Sequence, residues 1–219
     1  MYENLLCLPY FQGMTRNNIT KILDKTTIEY KNYIHGETIW KHSDKCDHFA
    51  ILTKGSIACT TKSPDSTYRI TEWLTPPYAI EPYSLFGYDT TYKHDYKSQD
   101  GCTILLIEKK FFFSELIKHD IFTINLLNLI SRKAQRASQE VWRHTPTSIE
   151  GRISQFISTR CENPKGPKLL SIKMERLAAI LCETRLNISK ALNNMQKQEY
   201  IELHRGEIVV PSLERLPQI

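Results

Sequence analysis

The sequence predicts an α+β fold in three successive parts: antiparallel β-structure of the sandwich or barrel kind, a long amphipathic helix, and a compact helix–turn–helix closed by a β-hairpin. Three observations carry this reading. Between residues 28 and 109, short apolar runs are broken by turn signals about every 8–12 residues. From Phe111 onward the apolar residues recur at spacings of three and four. The formal charge of +5 is unevenly placed, with net −1 over residues 1–130 and net +6 over residues 131–219. That asymmetry describes a basic module that meets a polyanion, joined to a near-neutral module with another task.

Composition narrows the field. The 219 residues, 41% hydrophobic and 24% charged, suffice for one large domain or two modest ones. No apolar run approaches ~18 residues, so no membrane-spanning helix is expected. Met1-Tyr2-Glu3-Asn4 lacks the basic-then-apolar start of a secretory signal. The six cysteines, at 7, 46, 59, 102, 161 and 182, form no regular framework. They read as reduced, mostly buried thiols of a cytoplasmic protein.

In chain order, Met14, Ile19, Ile22 and Leu23 mark a short helix over 14–24. A turn and strand follow at Ile34–Trp40. Phe49–Leu52 reads as a buried strand ending at a Lys54-Gly55 turn, and Ser56–Thr61 resumes it. Ser63-Pro64-Asp65-Ser66 makes a hairpin turn, Tyr68–Leu74 a strand, Thr75-Pro76-Pro77 a break, and Cys102–Ile107 the last apolar run. Ile117, Ile121, Ile124, Leu127, Ile130, Ala134, Ala137 and Val141 then form one helical seam of ~25 residues, about 40 Å long. Its length and narrowing stripe favour pairing with a second copy over packing on its own domain. Pro146 marks a hinge, a helix is expected over Ser148–Cys161, and Asn163–Pro167 is a loop.

The last fifty residues carry the chemistry. Leu169–Ile172 is a short strand, Lys173–Leu181 a compact helix, and Cys182-Glu183-Thr184 a tight connection into a second helix over Arg185–Gln198. Tyr200–Leu203 and Glu207–Val210 flank a turn at His204-Arg205-Gly206. This is the pattern of a winged helix-turn-helix. Thr184 is a fitting N-cap, and the second helix holds Arg185, Lys190 and Lys197 without a single acid. Ile188, Leu192 and Met195 take its inward face, leaving Arg185, Leu186, Asn187, Ser189, Lys190 and Asn193 outward. Arginine pairs with guanine and asparagine with adenine in the major groove. The candidate DNA-binding residues are therefore Lys173, Thr184, Arg185, Asn187, Ser189, Lys190, Asn193, Lys197 and Arg205, with Lys173, Lys197 and Arg205 neutralising phosphates.

The segment Leu177–Leu192, continued by Gln198–Ile201, resembles the helix-turn-helix of the Crp/Fnr superfamily of bacterial transcription regulators. His35–Ile39 and Lys54-Gly55 resemble that family's β-roll, and the long helix its dimerisation helix, so the resemblance covers nearly the whole chain. It implies an N-terminal antiparallel β-roll (a double-stranded β-helix, or jelly roll) over 1–116, a dimerisation helix over 117–145, and a winged helix-turn-helix domain over 146–219. It places Arg185 on the family's base-reading arginine and Lys190 on its second basic contact. Leu186 stands where the family often has glutamate, and leucine cannot accept from cytosine N4. Cys182 stands where glycine is common, in a left-handed position that costs cysteine more.

On the sensor side, family members that bind cyclic nucleotide keep a Gly-Glu pair for the ribose and an Arg-Ser or Arg-Thr pair for the phosphate. Here Glu81-Pro82 replaces the first pair, and Tyr92-Lys93 falls on the second. Pro82 offers no N–H, and lysine lacks the fork of arginine. The candidate effector-pocket residues are Ile80, Glu81, Tyr83, Ser84, Tyr92 and Lys93, with a cyclic nucleotide disfavoured and the effector unidentified. The aromatic run from Tyr78 to Tyr96 either lines an apolar pocket or fills a core. The expected partners are double-stranded DNA, a second copy through Ile121, Ile124, Leu127, Ile130, Ala134, Ala137 and Val141, and RNA polymerase as a further candidate. No cofactor and no metal are expected, and Cys46-Asp47-His48 is read as an ordinary loop. An enzyme of the cupin type is the rival class, but the seven histidines hold no His-x-His, and no nucleophile elbow or phosphate-binding glycine loop occurs. A cyclic-nucleotide-responsive regulator is the second alternative.

Overall fold

The computed structural model describes residues 5–24 and 28–217. The chain divides into two units, residues 1–58 with 74–141, and residues 59–73 with 142–219.

The first unit begins with α1 (Arg16–Leu23), where Thr15 accepts the Asn18 N–H at 3.2 Å. The side chain of Leu23 lies outside the description. Its strands are β1 (Ile28–Tyr33), β2 (Thr38–Trp40), the first part of β3 (His48–Lys62), the end of β4 (Tyr68–Leu74), β5 (Tyr78–Ile80) and β6 (Asp95–Glu108). β1 runs antiparallel to β6 from Ile28 opposite Ile107 to Tyr33 opposite Cys102. β2 adds to the start of β6, and β5 to β3 with Ala50 opposite Ile80. The expected last run, Cys102–Ile107, is thus the second half of a strand that starts seven residues earlier.

The expected turn at Lys54-Gly55 is not a turn. Gly55 lies inside β3 with φ 75°, and a Cβ there would stand 1.9 Å from the Gly101 carbonyl oxygen. Glycine marks a close backbone crossing here, and the strand continues through it.

The apolar centre of this unit is aromatic. Phe49, Phe112 and Phe122 are fully buried and mutually in contact, with ring centroids 5.3–6.2 Å apart, and Phe11 joins Phe122 at 5.3 Å. Phe112 belongs to α2 (Lys109–Ser114) and Phe122 to α3 (Asp120–Val141). The single helix expected from Ile117 therefore begins at Asp120. Leu116–Lys118 forms a 3₁₀ turn, and His119 is extended. The side chain of Asn125 ties α3 to the carbonyls of Tyr10 and Gln12 at 3.2 and 2.8 Å.

The second unit contains α4 (Ile149–Ser158), β7 (Lys168–Ile172), α5 (Met174–Ile180), α6 (Arg185–Lys197), β8 (Glu202–His204) and β9 (Glu207–Val210). Ser148 caps α4 by accepting the Gly151 N–H at 3.1 Å. β8 and β9 form the expected hairpin, with Leu203 opposite Ile208, and β9 pairs with β7. The next pairing is one that nothing in the sequence announces. β4 lies against the other edge of β7, from Tyr68 opposite Ile172 to Glu72 opposite Lys168. Residues 59–73, an excursion of the β3–β4 hairpin, thus complete the sheet of the helix-turn-helix unit. Ile70 enters its core beside Phe156, Leu170, Leu177, Ile188, Leu192 and Met195.

Candidate nucleic-acid interface

The helix-turn-helix is set by two helix stops of one design. After α5, the Cys182 N–H donates to the Ala179 carbonyl at 3.3 Å and the Glu183 N–H to that of Ala178 at 2.9 Å, with Cys182 at φ 52°. After α6, the Glu199 and Tyr200 N–H groups donate to the carbonyls of Gln196 and Met195, both at 3.0 Å, with Glu199 at φ 59°. Both are Schellman arrangements with a non-glycine residue in the left-handed position. The cost expected at Cys182 is therefore real in the fold.

α6 starts at Thr184, whose Oγ1 accepts the Asn187 N–H at 3.1 Å. Ile188, Ala191, Leu192 and Met195 are buried, which fixes the rotation of the helix about its axis. Arg185, Leu186, Lys190, Asn193 and Lys197 are exposed; Asn187 and Ser189 are half-buried on the flanks. Lys173, at the start of α5, and Arg205, in the turn between β8 and β9, are exposed as well. The fold thus gathers the nine predicted residues into one unit. Besides the Thr184 cap, two are already engaged: Asn187 Nδ2 donates to Glu183 Oε2 at 3.1 Å, and Arg185 Nη1 lies 3.3 Å from Glu175 Oε1.

One constellation was not readable in advance. Arg152 of α4 pairs with Glu183 in the turn and donates from Nη1 to the Leu181 carbonyl at 2.9 Å. Hydrogen bonds from Asn187 and Arg152 hold the Glu183 carboxyl below the usual carboxylate range. The turn is locked to α4 by this triad, across 31 residues of sequence that carry no local signal of it.

The hairpin tip is also pinned. Arg176 of α5 pairs with Asp65 and donates from Nε to Thr67 Oγ1 at 2.9 Å. Hydroxyl donors from Ser63 and Thr67 bring the Asp65 carboxyl down to about 2.

In the first unit, the candidate effector residues are mostly interior. Ile80 is buried in β5, and Tyr92 is stacked on Trp40 at 4.5 Å, with burial pushing its phenol far up. Tyr83 carries the Lys133 ammonium over its ring at 3.3 Å. Lys93 turns its ammonium to Asp89 and Thr91. Glu81 is the centre of the group. It is 2% exposed and sits at φ 38° before a 3₁₀ turn. Its carboxylate accepts the backbone N–H groups of Lys93 (2.9 Å) and His94 (3.1 Å) and the hydroxyls of Ser84 (2.7 Å) and Tyr96 (3.0 Å). Two adjacent amides and two hydroxyls form an oxyanion cradle, and the chain's own carboxylate fills it. Cys46, in the loop read as ordinary, is buried and its thiol is raised to about 11 by that burial, while Asp47 meets the His48 ring at 2.6 Å.

Residues 30–119 match the family model described as cyclic nucleotide-binding domain, and residues 151–219 that of the Crp-like helix-turn-helix domain. Among solved structures, the chain is similar to the catabolite activator protein of Thermus thermophilus, with TM-score 0.56 and 16% identity over 93% of each chain. It is similar to the c-di-GMP-responsive global regulator CLP of Xanthomonas campestris, with TM-score 0.52 and 11% identity over 90% of this chain and 99% of that one. The N-terminal domain of a transcriptional regulator from Streptomyces coelicolor A3(2) matches with TM-score 0.52 and 16% identity, over 66% of this chain and 99% of that one. At such identities the likeness is one of fold. No curated protein sequence matches the chain. With a roll of cyclic-nucleotide-binding type ahead of a Crp-like helix-turn-helix domain, the chain belongs to the Crp/Fnr superfamily of DNA-binding transcription regulators.

Proposed function

We propose that this protein works as a homodimer that recognises a near-palindromic DNA site, in the cytoplasm, and that its roll does not answer to a cyclic nucleotide. The observation that carries the DNA reading is α6 itself: a helix anchored by four buried residues, capped at Thr184, that turns cations, amides and a leucine outward with no acid along its length. Arg185 supplies base specificity with Asn187 and Lys190 assisting, and Lys173, Lys197 and Arg205 meet phosphates.

Pairing of two chains is supported by α3. Its inward face is Phe122 and Leu126, whereas the predicted seam residues Ile121, Ile124 and Leu127 are 41%, 57% and 57% exposed. Ile130 is half-buried, Ala134 and Ala137 are exposed, and the side chain of Val141 lies outside the description. A second copy of α3 covers that stripe and sets two reading helices ~34 Å apart, one turn of DNA.

The filled cradle supports the reading of the roll, because Glu81 holds the two amides and two hydroxyls that an incoming anion would need. The test is selection of bound DNA from a random pool by the full chain. A near-palindromic motif is the expected result, relaxed by Arg185→Ala and weakened evenly across sequences by Lys197→Ala. Recovery of no motif would sink the reading. Titration with cyclic AMP and cyclic GMP is expected to leave the melting temperature in place, since only a ligand of the folded state raises it.

A further inference from the structure

We propose that Leu186 reads a thymine, packing its side chain on the 5-methyl group in the major groove; this rests on the DNA-binding reading of α6. The buried residues Ile188, Ala191, Leu192 and Met195 define the inward face of the helix. Directly opposite, at spacings of four, three and four, run Leu186, Lys190, Asn193 and Lys197, all exposed. This line is the most outward part of α6, and Arg185 lies to one side of it, beside Glu175.

Leu186 is 63% exposed and is the one large apolar side chain among the exposed residues of α6. Its neighbours on the helix, Arg185, Asn187, Ser189 and Lys190, are all polar, so no contiguous apolar patch on this helix invites a protein surface. The matching partner is an isolated apolar group set in a polyanion. On the major-groove edges of the bases, the thymine methyl is that group. Position agrees with chemistry: Leu186 is the second residue of the helix, and the first turn of such a helix is what reaches base edges. The leucine cannot accept from cytosine, so it favours thymine on both counts.

The test uses the full chain and the DNA site it selects from a random pool. Each thymine is replaced in turn by deoxyuridine, which keeps the base pair and loses only the methyl. At one thymine per half-site the wild type is expected to lose roughly fourfold in affinity, the size of one buried methyl. Leu186→Ala is expected to be indifferent to the swap at that position and to keep its responses elsewhere. Leu186→Glu, whose carboxylate accepts from cytosine N4, is expected to select cytosine there. A selected site in which no thymine is methyl-sensitive overturns the role of Leu186 alone, as does a Leu186→Ala variant that retains every penalty of the wild type. If the wild type selects no DNA, the DNA-binding reading itself falls, and this inference with it.

Discussion

Arg185 and Glu175 form an ion pair across the helix-turn-helix, Nη1 to Oε1 at 3.3 Å, with both side chains largely exposed. The guanidinium assigned to base reading is therefore held, in the free protein, by an acid of the preceding helix. An exposed pair of this kind contributes at most about 1 kcal/mol, so it restrains the arginine without blocking it. Glu175→Gln is expected to raise DNA affinity by about two- to fivefold, most at low salt, with the selected sequence unchanged. Fluorescence anisotropy at two ionic strengths measures this; an unchanged affinity at both would remove Glu175 from the interface.

The Glu183 carboxyl is held low by donors on Asn187 and Arg152. A group depressed in the folded state adds stability above its unfolded pKa, and that contribution disappears as pH falls through the lower folded value. Wild type is thus expected to melt higher than Glu183→Gln near neutrality, with the gap closing below about pH 4. A gap of constant size across that range, followed by scanning fluorimetry, would show that the carboxylate charge is not what holds the turn.

Glu72 and Lys168 face each other across β4 and β7 with Oε2 and Nζ 3.0 Å apart, both fully buried. Glu72 also accepts the N–H groups of Glu162 (2.7 Å) and Asn163 (3.0 Å), and Lys168 donates to the Lys165 carbonyl at 2.8 Å. Removing one partner strands a buried charge, so Lys168→Met is expected to cost about 3–5 kcal/mol in chemical denaturation. The double variant with Glu72→Gln is expected to recover part of that loss, because the stranded charge is gone.

In the proposed pairing of α3 with a second copy, Leu127→Glu places like charges on facing copies of the exposed seam. The chain is expected to sediment as a monomer with its fold intact, since Leu127 is 57% exposed within one copy. Losing the second reading helix then lowers affinity for a two-half-site DNA by at least about a hundredfold. Sedimentation velocity and a binding titration on the same sample separate this outcome from unfolding.

Much of the reading unit was legible because its determinants are local. The 3.6-residue spacing of Ile188, Leu192 and Met195 and the cap at Thr184 place α6 within one residue of its observed end, and the glycine at 206 places the turn between β8 and β9. What escaped was set by long-range geometry. Gly55 looks like a turn residue, and only the passing Gly101 carbonyl explains why it sits mid-strand. The first half of β6, Asp95–Gly101, mixes exposed and buried polar residues, and its strand character comes from pairing with β2. Tyr68–Glu72 was correctly a strand, yet nothing near it names β7, roughly a hundred residues away, as its partner. Arg152 and Glu81 were charges whose significance lies wholly in what surrounds them after folding.

Cys182 and Glu199 end the two helices of the reading unit in a backbone conformation that glycine adopts freely and other residues adopt at about 1 kcal/mol or more. Neither residue is among those assigned to bases or phosphates. The unit thus carries latent stability at two positions outside the set assigned to bases and phosphates. Substitutions on the outward face that retarget the helix at some cost to folding can be offset there by glycine, leaving recognition free to drift while the scaffold holds.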